Sequence, residues 1–133
     1  MTIERVNPPS LGPPSGFSHA VVGTGRVVFL SGQTATDATG AIAGADVTAQ
    51  FGLALRRLLE ALRAAGGRPA DLASLTIYAV DLEDYRAHGS EIGRIWREQA
   101  GRDYPAMAAV QVPRLWDPAA LVELQGLAVL PGE

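Results

Sequence analysis

The segment that constrains this chain most is its last apolar run, residues 121–130. Read as a strand, it puts Val122, Leu124, Gly126, Ala128 and Leu130 on one side. Leu121, Glu123, Gln125, Leu127 and Val129 fall on the other. A half-exposed strand alternates cleanly between apolar and polar, whereas this one is largely apolar on both sides. Residues 106–112 behave alike: Ala106, Ala108, Val110 and Val112 alternate with Met107, Ala109 and Gln111. A sheet built from such strands needs cover on two faces.

The rest of the chain supplies cover for one. Residues 19–22 and 26–31 read as two strands joined by Gly23-Thr24-Gly25, a hairpin turn. Asp46 suits a helix N-cap, and Val47, Phe51, Ala54, Leu55, Leu58 and Leu62 recur at helical spacing until Gly66-Gly67. Gln50, Arg56, Arg57, Glu60 and Arg63 on the opposite side read as a solvated face. Residues 75–81 form a third strand. A second helix follows, with Tyr85, His88, Ile92, Ile95, Trp96 and Gln99 on one face and Gly101 as its stop. The order is β-β-α-β-α-β-β, an α/β (α+β) arrangement.

Right-handed crossovers place both helices on one face of the sheet. Five strands at about 4.8 Å spacing span roughly 24 Å. Two helices, each about 10 Å across, cover that width once. The second face is left bare and too apolar for a lone copy in water, so self-association through it is expected.

Composition narrows the chemistry. The 133 residues suit one domain, 1–133, with the proline-rich residues 1–16 as an extended arm. There is no cysteine, which removes disulfides, thiol nucleophiles and cysteine-ligated metals. All 11 basic residues are arginine, so Schiff-base and P-loop lysine chemistry are excluded. A net charge of −3 gives no electrostatic reason to bind nucleic acid. No apolar run reaches the roughly 18 residues that cross a bilayer, and no secretory leader is legible, so a cytoplasmic protein without membrane contact is expected.

Few residues stand out as chemical. Ser31 lacks a G-x-S-x-G setting, and His19 and His88 lack metal-ligand spacing, so no metal site is expected. Gly23-x-Gly25 precedes a strand rather than a helix and fails the dinucleotide context. Trp96 reads as a core anchor. Trp116, in the loop 113–120, suits subunit packing or the lining of a pocket. Glu123, among apolar neighbours, reads equally as a general base or as one half of a salt bridge within a trimer, to Arg26 or Arg114.

Several segments together resemble the Rid family, the YjgF-like reactive intermediate deaminases. They are Val28-Phe29-Leu30-Ser31-Gly32-Gln33, Gly40 with Asp46-Val47-Thr48-Ala49-Gln50, Ala64-Ala65-Gly66-Gly67, residues 76–85, Tyr104-Pro105-Ala106, residues 110–115 and Leu121-Val122-Glu123-Leu124. The resemblance runs from about Pro13 to Leu130. It implies a chorismate-mutase-like fold, one sheet with two helices on one face. It also implies a homotrimer whose sheets form a central barrel, with small-molecule ligands in clefts between subunits. Its active members hydrolyse enamines or imines of amino acids to 2-oxo acids and ammonia without a cofactor.

Matched residue by residue, the resemblance makes Glu123 the catalytic carboxylate and Ser31 and Gly32 substrate-binding groups. Phe17 stands where tyrosine is usual, Gly89 where asparagine is frequent, and Ala109 where many members have cysteine. Met107 replaces the arginine that holds the substrate carboxylate in deaminating members. A thioether cannot make charge-assisted hydrogen bonds, so ordinary 2-imino acid deamination is expected to suffer, with Arg26, Arg114 or a neighbouring subunit's arginine as candidate substitutes. The sequence therefore suggests an arginine-less C–N hydrolase, with a non-catalytic metabolite-binding or scaffold trimer as the alternative.

Overall fold

The computed structural model describes residues 2–132. Six strands and three helices run in the order β1 (Ile3–Val6), β2 (Ala20–Gly23), β3 (Arg26–Gln33), α1 (Val47–Ala64), β4 (Leu72–Ala79), α2 (Leu82–Ala87), α3 (Gly89–Ala100), β5 (Ala106–Gln111) and β6 (Val122–Leu130). The main sheet has four strands, ordered β3-β6-β4-β5. The β4–β5 pair is parallel and the others are antiparallel.

Helix α1 forms as its apolar spacing requires. Asp46 accepts the Ala49 N–H at 2.9 Å, and the chain leaves the helix through Gly66 at φ +94°. Val47, Phe51, Ala54, Leu55, Leu58 and Leu62 are all buried, packing on Leu30 of β3, Leu72, Leu75 and Ile77 of β4, and Val122, Leu124 and Ala128 of β6. Two residues assigned to the solvated face are not there. Gln50 is buried: its amide donates to Gly44 O and Ala119 O, and its carbonyl oxygen accepts the Leu121 N–H. Arg57 is half-buried and donates to Gln33 Oε1 and Thr36 O. Both positions face loops that cross the helix, which helical periodicity does not register.

The second helix is two helices. The chain breaks at His88, whose Nδ1 lies 2.8 Å from Asp84 O, and α3 restarts at Gly89. Ile92 and Trp96 continue the apolar stripe, and Trp96 stacks on Tyr104 at 6.4 Å.

The expected β2–β3 hairpin does not form. Strand β2 pairs instead with β1, which lies inside the proline-rich arm, in antiparallel register from Ile3↔Gly23 to Val6↔Ala20. This two-stranded unit crosses the end of the main sheet where β5 begins and β6 ends. Ser18 N donates to Pro105 O, Arg5 donates to Ala70 O and Tyr104 O, and a Cβ on Gly23 would lie 2.8 Å from Val129 Cγ2. The sheet is therefore one strand narrower than expected, and β1–β2 caps part of its second face. Val129 is buried by that cap.

The remainder of the second face is open. Phe29 is 81% exposed and Val27 50%, although each sits beside an apolar partner on β6, Leu127 and Val129. No helix among the described residues is long and apolar enough to cross a membrane.

Candidate functional site

Two groups of the expected site residues are brought together, in different places. The first gathers Ser31, Gly32 and Glu123. Strands β3 and β6 pair regularly up to Leu30↔Gly126, then shift register before Gln33↔Leu124, so Ser31 and Gly32 form a bulge. Glu123 packs against that bulge. A Cβ on Gly32 would fall inside contact distance of its carboxylate, so only glycine leaves the room Glu123 occupies. Glu123 stands opposite Tyr78 on β4, whose hydroxyl donates to Gln125 Oε1 at 3.0 Å. Ser31 is exposed, and Glu123 is half-buried.

Within one copy, among the described residues, Glu123 is in no ion pair. Arg26 donates to Pro131 O, while Arg114 donates to Leu115 O and Trp116 O. Neither arginine is paired with a carboxylate.

The second group gathers Met107 and Gly89. They line a half-open cavity of about 560 Å³ bordered by α1, α2, α3, Ile77 of β4, the start of β5, and Ser15 and Gly16 of the arm. Its wall mixes apolar side chains, Phe51, Tyr85 and Trp96 among them, with polar ones such as Ser90 and Tyr104. Burial pushes the Tyr85 phenol up to about 12, so it meets any ligand as a neutral hydroxyl. Two arginines, Arg97 and Arg102, reach the same cavity. Arg97 is not among the residues of the apolar stripe, and Arg102 follows the helix stop. Their convergence depends on the turn at Gly101, with φ +81°.

The two groups occupy opposite faces of the sheet. Glu123 is in register with Tyr78, and Met107 with Leu75, which is buried under the helices. An odd separation along β4 puts them on opposite sides. One protomer therefore does not join Glu123 to Met107.

The other expected residues belong to neither group. Phe17 makes an edge-on contact with His19 at 5.1 Å. Ala109 lies on exposed β5, and Trp116 is 96% exposed.

Comparison with known proteins places this geometry among relatives. Residues 9–130 match the family described as Endoribonuclease L-PSP. The chain is 33% identical over 109 residues to a RutC family protein of Haemophilus influenzae, covering 81% of this chain and 82% of that one. It is 27% identical over 123 residues to human 2-iminobutanoate/2-iminopropanoate deaminase, covering 92% and 83%. Among solved structures it superposes with TM-score 0.88 and 36% identity on YyfB of Yersinia pestis, a conserved Rid family protein of unknown function, covering 98% of this chain and all of that one.

Proposed function

The chain belongs to the Endoribonuclease L-PSP family, the YjgF/Rid group, and from that premise we propose that it is a hydrolase of C=N bonds. Its cleft would be completed by a second copy in a homotrimer. The observation that carries this reading is the Glu123 carboxylate seated on Gly32 beside the exposed Ser31 hydroxyl, with no arginine neutralising it among the described residues. In a cleft between copies, this half would face the Met107 and Gly89 half of a neighbour.

The chemistry asks little of the protein. Water adds to the imine carbon while Glu123 takes its proton and a proton reaches the nitrogen. The carbinolamine then collapses: the C–N bond breaks, ammonia leaves, and the carbon keeps the oxygen as a carbonyl. An enamine enters the same sequence once protonated at carbon. Ser31 and the Gly32 backbone would orient the substrate.

Met107 sets the limit on substrate. A small 2-imino acid loses a charge-assisted partner there, so its turnover is expected to be weak. The test generates 2-aminoacrylate in situ and follows its decay with wild type, Glu123→Gln and Met107→Arg. Catalysis by wild type that is lost in Glu123→Gln and strengthened in Met107→Arg supports the reading. Decay unaffected by the wild-type protein, for this and for bulkier imines, overturns it.

One observation favours a second reading, a binding or scaffold trimer. Phe17, Gly89, Met107 and Ala109 all lack the polar groups usual at those positions. A Glu123→Gln variant with unchanged ligand affinity and no turnover in either protein would favour it.

A further inference from the structure

The cavity under α3 runs against the charge of the chain as a whole. The chain carries a net charge of −3, yet no aspartate or glutamate lines this cavity, and two arginines do. Arg5, Arg26, Arg57, Arg68, Arg86, Arg94 and Arg114 are all engaged with carbonyls or carboxylates. Among the described residues, Arg56, Arg63, Arg97 and Arg102 make neither a side-chain hydrogen bond nor an ion pair, and of these four Arg97 and Arg102 line the cavity. Arg97 lies over Gly93, where an added Cβ would sit 3.2 Å from Nη1, so the bare backbone of α3 leaves its guanidinium room at the cavity.

We propose that this cavity is a binding site for an organic carboxylate with an aromatic body, its carboxylate held by Arg97 and Arg102 and its ring enclosed by Phe51, Tyr85, Trp96 and Met107. Two guanidiniums without counter-charges favour an anion, and a guanidinium matches a carboxylate in a two-pronged geometry. About 560 Å³ is ample for a ring and a short acid chain. About half of the wall is apolar, so a ligand that is charged throughout leaves that half unmatched.

Met107 then has a positive role: it widens the apolar wall, while the carboxylate contact moves from β5 to α3 and the turn after it. This inference deepens the proposed function. It rests on that reading for the approach of a neighbour's Glu123 to the ligand, but not for binding itself.

The test titrates phenylpyruvate, the stable carbonyl counterpart of an aromatic imino acid, by calorimetry. The comparison ligands are pyruvate and the uncharged 4-phenyl-2-butanone. The proteins are wild type, Arg97→Gln/Arg102→Gln and Glu123→Gln. Both arginines are exposed, so the double variant is expected to fold, and its circular dichroism and melting temperature serve as the check. Phenylpyruvate is expected to bind wild type at least about tenfold more tightly than either comparison ligand, and to lose about tenfold or more in the double variant. Retained binding in Glu123→Gln supports the site even where no imine is turned over, which separates this inference from the proposed reaction. Equal affinity of the double variant and wild type overturns it, as does equal binding of the uncharged ketone or no phenylpyruvate binding at millimolar concentration.

Discussion

At the scale of single residues, the site depends on an absence. Glu123 holds its place because Gly32 has no side chain, so Gly32→Ala is expected to displace the carboxylate. The variant should lose turnover about as fully as Glu123→Gln. It should also lose roughly 1–3 kcal/mol of stability, as overpacked positions do, measured by denaturant unfolding. The sequence made Glu123, Ser31 and Gly32 legible as a group, since family spacing aligned them. It did not single out Arg97 and Arg102. Helical periodicity sorts residues by side of one helix, and the cavity these two share exists only once α3 and the turn at Gly101 are folded.

His88 offers a second residue-level check. The Asp84 carbonyl accepting from its ring raises its pKa above the ordinary 6.5, and the Asp84 and Glu91 charges act in the same direction against partial burial. A raised folded pKa means the protonated ring stabilises the fold. That contribution is full below the unfolded value near 6.5 and is lost as pH rises through the folded value. Imidazole chemical shifts should titrate above 6.5, and His88→Asn should flatten the dependence of melting temperature on pH across that range. A titration at or below 6.5 would contradict the geometry at the α2–α3 junction.

At the scale of elements, α1 was the most legible part of the chain, and its polar side the least. Gln50 joins three backbone groups from two loops, at Gly44, Ala119 and Leu121. Replacing it with leucine leaves those groups buried without partners, and a loss of about 2–4 kcal/mol is expected in thermal or denaturant unfolding. Asp46→Ala removes only a cap and should cost about 1 kcal/mol. A larger loss from Asp46→Ala than from Gln50→Leu would mean that helix entry, not loop fastening, limits this region. The break at His88 was invisible because the apolar stripe runs through it. The pairing of β2 with β1 was invisible because four residues in a proline-rich arm give almost no strand signal.

At the scale of the whole molecule, layer counting anticipated helices on one face of the sheet and an open second face. It overstated how bare that face is, since β1 and β2 cap the Val129 end. What stays open is still costly. Phe29 and Trp116 are almost fully in water, and burying a side chain such as Phe29 contributes roughly 1.5–3 kcal/mol. The proposed function would give a second reason for association: Glu123 and Met107 lie on opposite sides of one sheet, so one copy does not bring them together.

Sedimentation equilibrium of the wild type beside Phe29→Glu tests that requirement most directly. The account predicts a wild-type species of about 42 kDa, three copies of a 13.9 kDa chain, falling to the single-chain mass when a charge replaces the exposed ring. A wild-type protein that sediments only at 13.9 kDa at micromolar concentration would contradict it.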